Sequence, residues 1–172
     1  PYCVSRDASG NVYFCDFNNF RIRKVTPGGA ISTFAGNGSD TGDGDGGPAT
    51  SATVYAPTDL VIDSQGNVYI TDWSHNRVRK VNTSGIISTY AGTGVSGYSG
   101  DGGPASSAKM YAPQHLAIDA SNNLYIQEGG HIRKVTPAGF ISTIAGNGTY
   151  GSDGDNGPAT KAAISAEDIA VD

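Results

Sequence analysis

The sequence lacks any apolar run near the ~20 residues that a membrane-spanning helix needs, which argues against a transmembrane protein. Charged residues are also sparse, at 16%, and the basic ones are scarcer, with 11 Lys and Arg against 16 Asp and Glu. Nucleic-acid partners are therefore disfavoured, because duplex binding needs a basic surface. Disorder is disfavoured too, because Val, Ile, Tyr and Phe recur steadily along the chain.

What the chain does have is an internal repeat. Segment 5–36 returns as 61–92 and again, two residues shorter, as 117–146, at a spacing of about 56 residues. The repeat accounts for the whole chain. The predicted units are 1–56, 57–112 and 113–165, with 166–172 as the start of a fourth.

Each repeat has the pattern of short strands separated by turn residues. In the second repeat the β-rich runs are 60–62, 68–70, 77–81 and 86–90. The first two runs are apolar at nearly every position, which is typical of a sheet covered on both faces. Solenoids are the usual rival, but their repeats are shorter. The sequence predicts an all-β fold, a β-propeller with three four-stranded blades plus the first strand of a fourth.

Three recurring motifs carry a family resemblance: G-N-[VL]-Y-[IF]-x-D, N-x-R-[IV]-R-K-V and I-S-T-x-A-G, followed by G-D-G-G-P-A. The chain resembles the NHL repeat family over essentially its full length. It is most similar to the long-loop form found in extracellular and bacterial proteins, teneurins among them. The resemblance implies a six-bladed ring, of which three blades are half. It also implies a platform that binds protein, RNA or glycan, with a few enzymes among the relatives.

Half a ring leaves two blade faces without a neighbour. We interpret the chain as part of a longer polypeptide with further blades. The alternative is a ring closed by two copies of the chain. The expected partner is therefore protein, either further blades of the same chain or copies of itself, with glycan second.

The cysteines, Cys3 and Cys15, both lie in the first repeat. A hairpin loop at 8–10 places them directly opposite each other on adjacent strands. Opposed positions bring β-carbons about 4.5–5.5 Å apart, close to disulfide reach, so we predict a Cys3–Cys15 bond. Two independent buried thiols are the alternative.

Three Asn-x-Ser/Thr sequons, at Asn37, Asn82 and Asn147, lie in predicted loops. Together with the predicted disulfide they favour a secreted or extracellular glycoprotein.

The loops between repeats are long and rich in Gly and Asp. Carboxylates on a flexible backbone suit calcium, and otherwise no cofactor is expected. The candidate ligands are Asp43, Asp45, Asp101, Asp153 and Asp155. The competing interpretation is that Asp45, Asp101 and Asp155 cap local turns, and that the following prolines begin short helical turns.

The predicted third strands carry most of the positive charge. These residues are Arg21, Arg23, Lys24, Arg77, Arg79, Lys80, Arg133 and Lys134. They form either an anion- or RNA-binding stripe or ion pairs within each blade, Asp16 with Arg21 and Asp72 with Arg77. The third repeat offers Glu128 and His131 instead, and this joint replacement favours ion pairs.

The turns between the second and third strands gather at the face where propellers bind ligands. The candidate binding residues there are Phe17, Asn18, Trp73, His75 and Glu128. Trp73 and Phe17 either anchor a partner or fill the loop base of neighbouring blades.

Catalytic motifs are scarce. The three histidines occupy non-equivalent repeat positions, and the chain has neither a Gly-x-Ser-x-Gly elbow nor a His-Glu-x-x-His motif. The sequence therefore favours a non-catalytic platform. The alternative is a metal-dependent enzyme, similar to propeller lyases and lactonases, that uses the central channel. His115 is its one candidate residue.

Overall fold

The computed structural model describes residues 1–172 and consists of three antiparallel sheets of four strands each. Each sheet contains four consecutive strands in sequence order, so each is one propeller blade and the predicted fold class is confirmed. The strands are β1 (Val4–Arg6), β2 (Val12–Asp16), β3 (Arg21–Val25), β4 (Ile31–Ala35), β5 (Leu60–Ile62), β6 (Val68–Asp72), β7 (Arg77–Val81), β8 (Ile87–Ala91), β9 (Pro113–Ile118), β10 (Leu124–Glu128), β11 (His131–Val135) and β12 (Ile141–Ala145).

The hydrophobic core lies between blades rather than within one. One cluster joins the first two blades and includes Ile22 and Ile70. A second cluster joins the second and third blades and includes Val78 and Ile126. Because each cluster needs two facing sheets, a blade is stable only against a neighbour.

Strand burial shows the same dependence. All five residues of β6 in the middle blade are buried. In the equivalent strand β2 of the first blade only Tyr13 and Cys15 are buried, although the two sequences are alike. The first blade has one open face, which also exposes Val4 and Ile31.

The long loop between blades extends along the outer edge of the next sheet. The loop after β4 exchanges backbone hydrogen bonds with the second blade, from Gly46 N to Ile87 O (2.9 Å) and from Ile87 N to Gly47 O (3.1 Å). The loop after β8 repeats the arrangement on the third blade, at Gly102 and Ile141 (2.8 Å). The loop therefore covers an edge strand that would otherwise offer unpaired backbone groups.

The inner strands β1, β5 and β9 lie side by side and form the edge that lines the channel of a propeller. Residues 166–172 differ from the prediction, since they form no strand. An inner strand is held by pairing with the second strand of its own blade, and no such strand is present here.

The predicted disulfide is present. Cys3 and Cys15 are bonded, with Cα atoms 5.2 Å apart, and the β1–β2 register pairs Val4 with Phe14 as expected. The bond attaches the start of the three-residue strand β1 to β2.

We predict that removing this bond destabilises the protein. A C3S/C15S variant should lose about 3 kcal/mol of unfolding free energy, because the bond restricts the unfolded chain by closing a loop across a separation of 12 residues. Urea unfolding with and without dithiothreitol measures the loss, and the double variant should not respond to the reductant. A wild-type curve that reductant leaves unchanged would contradict the prediction.

Candidate functional site

The loop face is the end of the blades where the inner strands begin and the turns between second and third strands lie. Two of those turns are 3-10 turns, Phe17–Asn19 and Trp73–His75. Phe17 stacks on Tyr2 with ring centroids 4.4 Å apart. Tyr2, Phe17 and Trp73 line one shallow depression with Thr58 and Gln114. The structure therefore brings the two predicted aromatic residues together and adds Tyr2.

The other predicted binding residues lie apart from this depression. His75 contacts Asp72 (Nδ1 to Oδ1, 2.9 Å) and the backbone oxygen of Asp40 (3.2 Å), so it faces the loop between blades. Asn18 is exposed in its turn. Glu128 is buried beneath the third turn, where its carboxylate accepts a hydrogen bond from the backbone N–H of Tyr111 (2.8 Å).

A second depression, of about 270 Å³, opens above Glu128. Tyr98, Tyr111 and Tyr150 line it, and each is between 46% and 62% exposed. Tyr98 stacks on His131 at 3.9 Å. We call these three residues the tyrosine cleft. The sequence interpretation missed it, although three tyrosines in the long loops were a readable signal.

Exposed tyrosines are confined to the loop face. The four exposed ones are Tyr2, Tyr98, Tyr111 and Tyr150. At the opposite end, the Tyr69 hydroxyl donates to Asp63 (3.2 Å), and the other two blades repeat this bond. Burial is the main reason that the pKa of Tyr69 is raised. That end is polar and internally bonded, so the loop face is the surface suited to recognition.

The acidic loops deliver carboxylates to the next blade. Asp45 accepts hydrogen bonds from the buried Arg79 guanidinium and from Thr89 N (2.9 Å). Asp101 likewise accepts hydrogen bonds from the Arg133 guanidinium (2.6 Å) and from Thr143 N (2.9 Å). We call this pairing the blade latch. The prediction that these two aspartates cap local turns was wrong, although 3-10 turns do begin after the prolines, as at Pro48.

The latch depends on local backbone geometry. Sheet register shifts at Arg79 and at Arg133, and such a bulge leaves an outer-strand N–H free for the incoming carboxylate. Gly44 precedes Asp45 with φ of 88°, and a β-carbon there would lie 2.7 Å from the Ala52 backbone. Only glycine fits this approach.

Burial by itself would raise the pKa values of Asp45 and Asp101. Hydrogen bonds from Thr89 and Thr143, together with the arginine charges, outweigh burial and lower both pKa values. These carboxylates are therefore ionised partners of arginine, which competes with the predicted calcium ligation. Asp43 pairs with Arg77 (2.8 Å), while Asp153 and Asp155 are exposed and form no ion pair.

The predicted ion pairs within blades form in part. Arg77 Nε lies 2.8 Å from Asp72 Oδ2, as predicted. The prediction of an Asp16–Arg21 ion pair was wrong. Arg21 donates to the backbone oxygens of Asn19 and Asn37 (2.8 Å each), and Asp16 lies 3.7 Å from Arg23 instead. Arg21 stands directly opposite Asp16 in the β2–β3 register, so the pair fails to form because the Arg21 guanidinium is bonded to these backbone oxygens, not because of the register.

The buried acid at the end of the second strand titrates differently in two blades. Burial would raise the pKa of Asp72, but His75 and Arg77 outweigh it and hold that pKa low. In the third blade His131 replaces the equivalent of Arg77. Burial there raises the pKa of Glu128 to about 7, and Arg133, 3.1 Å away, offsets it only in part.

A third group of residues lies where the inner strands begin. Potential ligand atoms of Asp59, His115 and Asp168 lie within 4.8 Å of one another. His115, the predicted channel residue, is half-buried between the two acids. Both Asp59 oxygens accept backbone hydrogen bonds of 2.8 Å, from Leu60 and from Leu116.

The sequon asparagines are all exposed. The Asn37 and Asn147 side-chain amides donate to backbone oxygens at 3.1 Å and 2.9 Å. The Asn82 oxygen accepts from Ser84 and Ile86, and its amide nitrogen makes no hydrogen bond. Of the three sequon asparagines, only Asn82 has a side-chain amide nitrogen that makes no hydrogen bond.

None of the helices has the length and hydrophobicity that crossing a membrane requires.

The blade latch predicts that replacing one loop aspartate lowers the unfolding free energy strongly, whereas replacing another leaves it nearly unchanged. D101N should lower the unfolding free energy by about 1–3 kcal/mol, because buried Arg133 loses a charged partner. D40N, in an exposed loop position without an ion pair, should change it by less than about 0.5 kcal/mol. Urea unfolding compares the two variants, and equal losses would contradict the latch.

Glu128 predicts a pH dependence of stability. Its pKa is raised by folding, from 4.5 to about 7, so the folded state holds the proton more tightly. This contribution to the unfolding free energy is complete below pH 4.5 and is lost as pH rises through about 7. The unfolding free energy of the E128Q variant, measured by urea unfolding, should therefore fall less steeply with rising pH over that range. Equal slopes for both proteins would refute the assignment.

Comparison with known proteins identifies the family. The model of the teneurin NHL domain matches residues 39–97 and 94–171. Teneurin-1 of Gallus gallus is 30% identical over 161 residues, which cover 86% of this chain and 6% of that protein. The chain thus spans a small fraction of the length of its curated relatives.

Solved structures share the fold. A Bacteroides thetaiotaomicron protein of unknown function superposes with a TM-score of 0.75 at 21% identity, covering 98% of this chain and 41% of that chain. Virginiamycin B lyase from Staphylococcus aureus gives a TM-score of 0.56 at 19% identity, covering 92% of this chain and 42% of that chain. Identities this low establish the fold alone. From the family match and the teneurin-1 identity, the chain belongs to the teneurin NHL domain family.

Proposed function

We propose that this chain is a non-catalytic recognition and assembly platform of an extracellular protein, and that it binds a protein partner through its loop face. The observation that carries the proposal is the confinement of all four exposed tyrosines to that face. Tyrosine combines a large apolar ring with a polar tip, and interfaces are enriched in it.

The shallow depression lined by Tyr2, Phe17 and Trp73 supports the same role. Trp73 Nε1 is buried and has no hydrogen-bond partner. The Trp73 residue nevertheless lines the depression, and aromatic side chains commonly anchor protein interfaces. Phe17 and Tyr2 provide the adjoining apolar surface.

Anionic partners are less suited to this surface. Arg79 and Arg133 are fully buried, and Arg77 is bound to two aspartates. The third-strand lysines lie over tyrosine rings, as Lys80 does over Tyr69 at 5.2 Å. The stripe therefore has few free cations for RNA or sulfated glycan.

The blade latch also supports a role in assembly, because the first and third blades each carry an unmatched half of it. Arg23 occupies the latch position of the first blade and lacks a loop carboxylate, with Asp16 at 3.7 Å. Asp155 occupies the position of Asp45 and Asp101 and lacks an arginine. The two ends carry complementary halves of one contact, which suits further blades of the same chain or another copy.

An extracellular location is supported by the Cys3–Cys15 bond, since disulfides persist in oxidising compartments. The exposed sequons at Asn37, Asn82 and Asn147 suit a glycoprotein. The enzyme alternative rests on His115, which lies beside Asp59 and Asp168.

We predict that tyrosine cleft variants weaken binding between copies of the intact protein. Y111A/Y150A should raise the Kd at least about tenfold in surface plasmon resonance, because truncated aromatic anchors commonly cost 1–2 kcal/mol or more. F140A, equally exposed but outside the loop face, is the matched control.

An equal effect of F140A, or no binding between copies, would contradict the proposal. Loss of binding after enzymatic deglycosylation of one partner would favour the glycan alternative.

A further inference from the structure

We propose that Asp59, His115 and Asp168 form a binding site for one first-row divalent cation, Zn²⁺ or Mn²⁺, where successive inner strands meet. The site lies beside the aromatic depression of the loop face, with Tyr2 and Thr58 lining both, and it does not depend on a protein partner.

The three residues occupy one repeat position. Asp59 lies at the start of β5, His115 lies within β9, and Asp168 follows at the same position of the next repeat. The equivalent residue of the first repeat is Cys3, which is held in the disulfide. The fold therefore brings one ligand from each of three successive repeats to the same edge.

Distances fit one ion. Metal bonds to imidazole nitrogen and carboxylate oxygen are about 2.0–2.2 Å long, so two ligand atoms of one ion lie at most about 4.4 Å apart. His115 Nδ1 lies 3.9 Å from Asp168 Oδ1. No two ligand atoms of the group are more than 4.8 Å apart, and a rotation of the exposed Asp168 side chain would bring its carboxylate within bonding distance of a shared ion.

The carboxylates are already oriented. Asp59 Oδ1 accepts the N–H of Leu60, and Asp168 Oδ1 accepts the N–H of Ile169, both at 2.8 Å. The two acids thus share one local conformation. Each oxygen retains a lone pair, and such backbone bonds orient metal ligands.

Charge at this position is uncompensated. The two fully buried carboxylates have arginine partners, Asp72 with Arg77 and Glu128 with Arg133. Neither Asp59 nor Asp168 forms an ion pair with lysine or arginine. Two carboxylates close together favour a cation, and the protein itself supplies only the imidazole.

A buried polar atom gives an independent indication. Gln127 stands directly opposite His115 in the β9–β10 pair, so both side chains lie on the same face of the sheet. The Gln127 residue is 2% exposed, and its Oε1 has no hydrogen-bond partner. A cation, or water bound to it, would satisfy this oxygen.

The donor set decides the class of ion. Imidazole suits Zn²⁺ and other first-row metals, whereas Ca²⁺ and Mg²⁺ prefer oxygen ligands throughout. One nitrogen with two carboxylates therefore favours Zn²⁺ or Mn²⁺.

Isothermal titration calorimetry of the intact, EDTA-treated protein with ZnCl₂ or MnCl₂ tests the site. We expect one ion per chain, with affinity at least about tenfold weaker in H115Q and in D168N, since even outer-shell partners of a metal contribute this much. Asp168 is exposed, so D168N should fold normally, and circular dichroism melting without metal checks this.

E167Q is the matched control, because Glu167 is exposed, adjacent and equally charged. Unchanged affinity in E167Q supports the site. Equal weakening by E167Q and D168N would indicate diffuse attraction to surface acids and overturn it. Binding that survives H115Q, or that D153N/D155N abolishes, would also overturn it.

Discussion

Each blade depends on the next one along the chain, through apolar burial and through a charge held across the junction. The apolar part is the pair of clusters between sheets. The charged part is the loop carboxylate that reaches a buried arginine, as Asp101 reaches Arg133. A buried guanidinium without a carboxylate would be strongly destabilising, so the loop must be long enough to cross the next sheet.

This constraint explains why the two ends of the molecule differ. Loops that reach the neighbouring blade start and finish on the loop face, where they leave Tyr98, Tyr111 and Tyr150 accessible. The other end is closed by short hairpins in which an aspartate binds asparagine and tyrosine, as Asp63 binds Asn67 (2.7 Å) and Tyr69. One end is thus bonded to itself and the other is available for partners.

Much of this architecture is predictable from sequence because it is local. The repeat, the four strands and the opposed cysteines all follow from spacing within about 56 residues. The latch is not predictable in this way, because Asp45 and Arg79 belong to different blades and meet only through the packing of one blade against the next. The Asp16–Arg21 error arose because Arg21 stands opposite Asp16 as expected, but backbone oxygens of nearby turns and loops accept its hydrogen bonds instead.

The candidate sites were predictable to a lesser degree. Phe17 and Trp73 were placed correctly at a turn, but their grouping with Tyr2 depends on how neighbouring blades pack. His115 was recognised alone. Its partners Asp59 and Asp168 share its repeat position, so the repeat alignment contained that signal.

A double-mutant cycle between Asp101 and Arg133 tests the dependence of blade on blade most directly. Unfolding free energies of D101N, R133M and the double variant give the coupling between a loop of the second blade and a strand of the third. The account predicts a favourable coupling of at least about 1 kcal/mol, because each single change leaves a charged partner buried or unmatched. Additive losses would show that the blades do not hold each other through this contact and would contradict it.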